Sequence, residues 1–301
     1  MLYGKRSEET RNQRGQVLIL LAVSMVGLIA ILALVLDGGN LYLHRRRMQN
    51  AADAGALAGA RILALDGTDG QASTAAYDYS VTRNDAATAN IAVASPIVTV
   101  RACTPVLMSF ARVLGINAQT VCATAVARFD GVNLAYGAAP IAIRDFEFVK
   151  GDPYTIWDDD KDMDPLTGNI SGAYRGWLCM SCLVPESCGN CGSNLLKDWM
   201  VDGYEGAISR DEWVRGEEGV SAAVIQQAYV GQLIKIVVFD EIRQWYPGKD
   251  YYHVLKFAVF EVTEVLATRS PKGIQGIFVD YVDSGPPGPD DGGLRMVHLI
   301  E

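Results

Sequence analysis

The chain has 301 residues, half of them hydrophobic, and its 35 acidic side chains outnumber 26 basic ones, for a formal net charge of -9. Residues 1–61 hold eight basic and four acidic side chains, which leaves 18 basic and 31 acidic ones for the rest of the chain. Contact with phosphates needs dense basic patches, and residues 62–301 have none. The charge distribution therefore argues against nucleic-acid binding.

The first predicted element is a membrane-spanning helix over residues 17–36, which are consecutive apolar or small residues. At about 1.5 Å per residue this helix is about 30 Å long, which matches the hydrocarbon core of a bilayer. A buried core helix of this length usually has a polar face, which this segment lacks. A cleavable secretory signal is the second alternative, but signal cores are only about 7 to 15 residues long. We therefore predict an uncleaved anchor.

The charges beside the predicted span do not decide its orientation. Basic residues flank it on both sides, at Lys5, Arg6, Arg11 and Arg14 before it and at Arg45, Arg46 and Arg47 after it. Long segments are exported largely regardless of flanking charge, and cysteines favour an oxidising compartment. We therefore expect residues 1–16 to be a cytoplasmic leader and the C-terminal part to be exported from the cell membrane.

Small residues recur at every fourth position after the arginines. One row is Ala51, Gly55 and Gly59, and the next is Ala52, Ala56 and Ala60. Residues four apart share one face of a helix, so this face has little bulk and lets another element approach closely. Two partners fit: a helix of another protein, or this chain's own globular part, since alanine is also the best helix former. A helix over residues 16–65 would be a rod of about 75 Å.

Three stretches around the span carry a family resemblance: Arg14-Gly15-Gln16, Leu36-Asp37-Gly38-Gly39-Asn40-Leu41-Tyr42-Leu43, and Arg45-Arg46-Arg47-Met48-Gln49-Asn50-Ala51-Ala52-Asp53-Ala54-Gly55-Ala56-Leu57-Ala58-Gly59-Ala60. In order and spacing they resemble the N-terminal region of the TadE/TadG-like proteins of Tad (tight adherence) pilus assembly. The resemblance implies a pilin-like N-terminus and a role in assembling or anchoring Flp-type pili. The implied partners are membrane lipid and other pilus-assembly proteins or copies of the chain itself, which the N-terminal helix would contact. The resemblance to this family extends, less sharply, over residues 98–127.

Two features of related proteins are missing. Processed pseudopilins carry a glutamate at the fifth position of the mature chain, and cleavage after Gly15 would put Leu20 there. We therefore do not expect prepilin processing at that site. Larger TadG-like members often carry a von Willebrand A domain, whose Asp-x-Ser-x-Ser motif does not occur in this sequence.

Residues 37–130 are predicted to form a pilin-like helix and a small antiparallel sheet. Strands are expected over residues 91–94, 97–102 and 120–129, and a helix over residues 71–82. A further helix is expected to open with Thr104 as cap and Pro105 as its first residue.

Two cysteines lie where these predicted strands end and begin. Cys103 ends one strand and Cys122 begins the next, so the two residues meet if the strands are antiparallel and lie apart if they are parallel. A disulfide between them would fix the topology, whereas two buried free thiols are the alternative.

Residues 131–301 are predicted to form a mostly-β exported domain, which makes the fold class α+β. Strands are expected over residues 140–143, 232–239, 253–265, 274–282 and 296–300. A helix is expected over residues 221–229. The run of Gly, Pro and Asp at residues 284–293 predicts a flexible loop.

Four cysteines of this part form two C-x2-C pairs, Cys179 with Cys182 and Cys188 with Cys191. Four thiolates suit tetrahedral zinc, but zinc ribbons usually separate the pairs by a dozen or more residues, and here five intervene. In an exported chain we favour disulfides over zinc, with pairing between the two units less strained than closure of each unit.

Alternating aspartates follow residue 157, at Asp158, Asp160, Asp162 and Asp164. Such carboxylates can converge on a hard cation, so calcium is the cofactor to consider, although the glycine and glutamate of an EF-hand are missing. A solvated acidic loop is the alternative.

Catalytic motifs are missing from the sequence: it has no G-x-S-x-G, no H-E-x-x-H and no glycine-rich phosphate loop. We therefore predict a non-enzymatic, membrane-anchored component of Tad pilus assembly. The alternative is an exported metal- or ligand-binding surface protein that shares the anchor but has no part in a pilus.

Overall fold

The computed structural model of the chain describes residues 13–158, 168–170, 175–183, 191–217, 222–268, 271–288 and 292–300. Its longest element is helix α1, Gln13–Ala64, whose 52 residues make it about 78 Å long. This confirms the predicted rod, in which the apolar segment continues without a break into the small-residue segment. Helix α2, Asp69–Tyr77, and a π-helical turn, Asp78–Thr82, confirm the helix predicted next.

A first sheet, sheet A, packs against the outer half of α1. Among the described residues its strand order is β1-β2-β3-β16-β14, with β15 beside β3. The strands are β1 Thr88–Ala94, β2 Ile97–Leu107, β3 Ala118–Val132, β14 Tyr281–Val282, β15 Pro287–Gly288 and β16 Leu294–Leu299. Alternate residues of β2 and β3, such as Val100 and Ala125, share one buried cluster with Ala52 and Ala56 of α1. Small side chains on both sides bring helix and sheet close together.

The prediction of a helix that begins at Thr104 and Pro105 is wrong. Both residues continue β2, where they pair with Val121 and Thr120 of β3. Strand β1 begins at Thr88, opposite Cys103, and does not reach Pro105, so there β2 lies at the edge of the sheet, where proline is tolerated. A short 3-10 helix, Ala111–Leu114, follows in the β2–β3 connection.

We call residues 131–301 the body. A second sheet, sheet B, makes up most of it and confirms its mostly-β character. Its strand order among the described residues is β10-β8-β5-β11-β12-β13-β6-β7. The strands are β5 Ala138–Arg144, β6 Pro153–Trp157, β7 Asn169–Ile170, β8 Arg175–Leu183, β10 Trp213–Gly216, β11 Leu233–Tyr246, β12 Lys249–Leu266 and β13 Gly273–Val279. A small pair, β4 Leu134–Tyr136 with β9 Ala207–Ser209, lies outside both sheets. The α+β fold class is thereby confirmed.

The helices of this part differ from the prediction. The helix expected over residues 221–229 is one turn, α4 Ala222–Ile225, and residue 221 lies outside the described residues. The chain then turns through Gly231, whose φ of 85° is left-handed, to enter β11. A longer helix, α3 Ser193–Asp202, buries Leu196, Trp199 and Met200 and was not predicted from the sequence.

The C-terminal strand returns to the first sheet. Strand β16 confirms the strand expected over residues 296–300, but it pairs with β3 of sheet A, with Val297 opposite Phe129. The described ends of the expected flexible loop are also bound, because β15 pairs with β3 and Gly293 bridges to Ala258. Residues 289–291 lie outside the described residues. A division of the chain at residue 130 stays a prediction, and the last strands of the chain lie in sheet A.

Candidate functional site

The apolar half of α1 is exposed on all sides. Among residues 18–36, only Ala33 is partly buried. Within the described part of the chain, this helix, from Val17 onward, is the one that is long and apolar enough to cross a membrane. A helix that is apolar all round and unburied fits a lipid environment. These are the properties of a single-pass membrane anchor.

Asp37, the first residue after the apolar segment, holds a loop of sheet A. Its carboxylate accepts hydrogen bonds from the N–H groups of Ser109, Phe110 and Ala111 at 2.9, 3.0 and 2.7 Å. These bonds, first the one from Ala111 and then the one from Ser109, lower the pKa of Asp37 below its ordinary value. The ionised carboxylate therefore fixes the β2–β3 connection to α1 where the helix leaves the apolar segment. The one signal of this role in the sequence is an acidic residue directly after the span.

The small-residue face of α1 is covered by the chain itself. Ala51 is fully buried. A Cβ on Gly55 would lie 2.8 Å from the carbonyl oxygen of Ala76 in α2, and one on Gly59 would lie 2.9 Å from Cγ1 of Val98 in β2. Of the two partners expected for this face, the chain's own globular part occupies it. This face of α1 is therefore closed to other proteins.

We expect Gly55→Ala to lower the free energy of unfolding. The added methyl group must displace a backbone carbonyl, which costs about 1–3 kcal/mol, and the gain in helix propensity offsets at most about 1 kcal/mol. Gly38→Ala is the matched control, because a Cβ there meets nothing within 4 Å. Urea unfolding of the full chain in detergent micelles, followed by tryptophan fluorescence, measures both. Equal unfolding midpoints for the two variants would contradict this packing.

The β2–β3 hairpin is closed by a disulfide and bound to α1. Cys103 lies directly opposite Cys122 in the antiparallel register, and the two form a disulfide. Of the alternatives that the sequence left open, the structure has the antiparallel arrangement and the disulfide. Arg45 of α1 donates a hydrogen bond to the carbonyl oxygen of Cys122 at 3.3 Å. The first of the three arginines after the span thus binds the hairpin.

Removal of this disulfide is expected to destabilise sheet A. For the sequence separation of 19, the loss of the loop constraint costs about 3 kcal/mol. The variant Cys103→Ser/Cys122→Ser leaves the other cysteines untouched, so a lower urea midpoint under oxidising conditions reports on this bond alone. An unchanged midpoint would show that the hairpin needs no covalent bond.

The two C-x2-C units are joined by disulfide chemistry. Cys179 at the centre of β8 is bonded to Cys191, just before α3, with Cα atoms 5.5 Å apart. This is pairing between the units, as expected. Cys182 is also disulfide-bonded, and Cys188 lies outside the described residues. The structure therefore has a disulfide between the two units, and the choice of disulfides over zinc for the four cysteines stays a prediction.

The aspartate cluster falls almost entirely outside the described residues. Asp160, Asp162 and Asp164 are not described. The carboxylate of Asp158 accepts a hydrogen bond from the N–H of Lys272 at 2.7 Å, which ties the end of β6 to the start of β13. Within the described ranges, no group of three or more His, Cys, Asp or Glu residues could hold a metal ion. Calcium binding by this loop stays a prediction.

A charge cluster around the buried side chains of Arg295 and Asp280 joins the end of α1 to sheets A and B, and the sequence did not indicate it. Arg295 of β16, which is 5 % exposed, donates to the carbonyl oxygen of Ala64 at 2.9 Å and to the carboxylate of Asp66 at 3.2 Å. It also pairs with Asp280 at 3.4 Å. Lys150 lies 2.5 Å from Asp280 and 3.5 Å from Asp66. This junction cluster fixes the body to the outer end of the rod.

The two carboxyl groups of the junction cluster have opposite pKa shifts. Burial, together with the hydrogen bond to Asp66, raises the pKa of Asp280 to about 6. The hydrogen bond to Asp280, and then the one from Arg295, lower the pKa of Asp66 to about 2. The two groups therefore share one proton over the acidic range.

We expect the contribution of Asp280 to stability to fall as the pH rises. Its folded pKa lies above the ordinary value of 3.8, so the folded chain holds this proton more tightly than the unfolded chain. The contribution is full below about pH 4 and is lost as the pH passes about 6. Urea midpoints across this range measure the effect. The advantage of the wild type over Asp280→Asn should shrink as the pH rises, and an advantage that grows would contradict the shift.

Comparison with known proteins gives one result. Residues 15–61 match the Tad family model, described as Flp pilus-assembly TadE/G-like. This confirms, for that segment, the family that the sequence resembles. The resemblance over residues 98–127 lies outside the match. No curated protein and no solved structure matches the chain.

Proposed function

We propose that the chain is a membrane-anchored, pilin-like component of a Tad/Flp-type pilus-assembly system, with a structural or scaffolding role and no catalysis. One observation carries the proposal. The segment that matches the family, residues 15–61, is nearly the whole of α1. The part typical of the family is thus both the membrane anchor and the helix on which sheet A is built.

The shape of the chain suits a scaffold. The helix between Asp37 and Ala64 spans about 40 Å, and sheet A lines it through small buried side chains. The junction cluster then fixes the body at the outer end. A body held at a set distance from the bilayer can present its surface to other assembly proteins in a fixed orientation.

Partners would meet the exposed parts of α1. The small-residue face is occupied within the chain, so contacts with other assembly proteins or with a second copy are proposed for the apolar span and for the segment just beyond it. Tyr42 and Leu43 are 64 % and 56 % exposed there. Aromatic and apolar side chains at this height also suit the interface of a bilayer.

The proposed orientation has residues 1–16 in the cytoplasm and the body outside. Its support is the set of disulfides, since such bonds persist in oxidising compartments and are rare in the cytosol. Among the described residues, Cys103, Cys122, Cys179, Cys182 and Cys191 are all disulfide-bonded.

Deletion of the gene in the cell of origin tests the proposal. We expect loss of surface filaments in negative-stain electron microscopy, together with loss of adherence to surfaces. The wild-type gene should restore both, and so should a control variant with a change on the body surface, Val230→Asp. Genes for a secretion ATPase and a small pilin are expected nearby. Unchanged filaments and adherence would refute the role in pilus assembly and favour an exported binding protein that shares the anchor.

A further inference from the structure

The connection between β2 and β3 carries an exposed apolar cluster. We call residues 107–117 the hairpin tip. Four of its large apolar side chains are open to solvent: Leu107 is 72 % exposed, Phe110 38 %, Val113 89 % and Ile116 48 %. The tip has no acidic residue, and its one charged side chain is an arginine. Apolar clusters of this kind mark binding surfaces and are costly to leave in water.

The position of the hairpin tip is fixed relative to the span. Its backbone donates three hydrogen bonds to Asp37, which directly follows the apolar segment. Further from the apolar segment along α1, Arg45 donates a hydrogen bond to the carbonyl oxygen of Cys122, and Gln49 donates one to the carbonyl oxygen of Thr124. The helix and β3 therefore run side by side, and the hairpin points toward the membrane end of α1.

The contact continues into the span. Ala33 lies one turn before Asp37 on the same helix face, and it is partly buried, whereas residues 18–32 are exposed. Helix α1 contacts the 3-10 helix Ala111–Leu114 of the tip. The exposed apolar residues of the tip are thus continuous with the surface of a helix that fits a bilayer.

We propose that the hairpin tip is a second membrane-contacting element, which inserts Val113 and Ile116 into the leaflet on the C-terminal side of the span. The occupant of this apolar surface is lipid, because the surface continues that of the lipid-exposed span at the same height. Arg112 in the tip is exposed, and a cationic side chain there can reach lipid phosphates. This inference goes beyond the pilus role and does not depend on it.

Two contacts restrain a rod more than one does. A single helix can tilt and rotate in a bilayer, because its tilt is set by neighbouring contacts. The disulfide of the hairpin and the carboxylate of Asp37 make the tip rigid with respect to α1. Insertion of the tip would therefore set the direction in which the rod, and with it the body, leaves the membrane.

Depth-dependent quenching tests the proposal on the full chain. Variants that each add one cysteine to the native six, Leu28→Cys, Val113→Cys and Leu65→Cys, are labelled with the fluorophore NBD under non-reducing conditions, and the wild type serves as the background. Each is reconstituted in vesicles of phosphatidylcholine and phosphatidylglycerol that contain acyl-chain nitroxide lipid. Leu65 is the water-exposed control, because it lies about 42 Å along the helix axis from Asp37.

We expect quenching and a blue-shifted emission at positions 28 and 113, and neither at position 65. A label at position 113 that behaves like the one at 65, while position 28 is quenched, overturns the proposal. If position 28 is not quenched either, both the span and the proposal fail.

A second variant tests the side chains themselves. With the label moved to Leu107→Cys, the change Val113→Asp/Ile116→Asp should abolish quenching at 107. The matched control Val230→Asp changes an exposed valine of the body and should leave the quenching at position 107 unchanged. Quenching at 107 that survives the two aspartates overturns the proposal.

Discussion

Replacement of Arg295 by leucine is expected to lower the free energy of unfolding by about 3–5 kcal/mol, because it removes the cation from the buried ion pair of Arg295 with Asp280. Asp280 is itself buried and would keep only Lys150 as a cationic partner among the contacts of the cluster. The carbonyl oxygen of Ala64 would lose its charged donor at the end of α1. Urea unfolding of the full chain in detergent micelles near neutral pH measures the change.

Arg83→Leu is the matched control for this variant. Arg83 is exposed and pairs with Asp78 in a surface ion pair, whose loss costs about 0–1 kcal/mol. If the two leucine variants unfold at the same urea concentration, the junction cluster does not hold the body to the rod. A large effect of Arg295→Leu alone would show that the outer end of α1 and the last strand of the chain are energetically coupled.

Two arginines in the span are expected to release the chain from the membrane. Each arginine near the centre of a spanning helix costs about 2.5–3.5 kcal/mol on insertion scales, so Leu28→Arg/Leu32→Arg opposes insertion by about twice that amount. Both side chains are exposed on α1, so the variant does not disturb the packing of sheet A. Alkaline carbonate extraction of cell membranes should move the chain from the pellet to the supernatant.

The control Leu195→Arg/Leu233→Arg places the same charges at exposed positions of the body and should stay in the membrane pellet. Retention of the span variant in the pellet would mean that residues 17–36 are not the anchor. The same variant should fail to restore filaments in the deletion strain, which links the anchor to the proposed function.

Local pattern sufficed for the elements that lie close together in sequence. Length and uniform apolarity predicted the span, the spacing of small residues predicted a close contact on α1, and the positions of Cys103 and Cys122 posed a choice of topology that the antiparallel register decides. The prediction of a helix at Pro105 failed because threonine followed by proline, typical of the start of a helix, here lies within a strand. The start of β1 opposite Cys103, which leaves Pro105 at a sheet edge, explains why a strand can continue there.

Contacts between distant segments were beyond the sequence. Arg295 meets Ala64 across more than two hundred residues, and no local pattern relates the two. Strand β16 was predicted as a strand. The sequence pattern of a strand does not tell which other strand it pairs with, so its pairing with β3 in sheet A is known only from the structure. The small-residue face likewise predicted a partner without saying which, and α2 and β2 supply it.

The proposals share one claim, that residues 17–36 cross the membrane and place the body outside the cytoplasm. Protease treatment of intact cells, or of spheroplasts where the cell has an outer membrane, tests it directly on the full chain with a different epitope tag at each end. We predict that the C-terminal tag is digested while the N-terminal tag survives until the membrane is dissolved. Survival of the C-terminal tag with digestion of the N-terminal one would reverse the orientation and contradict the exported body.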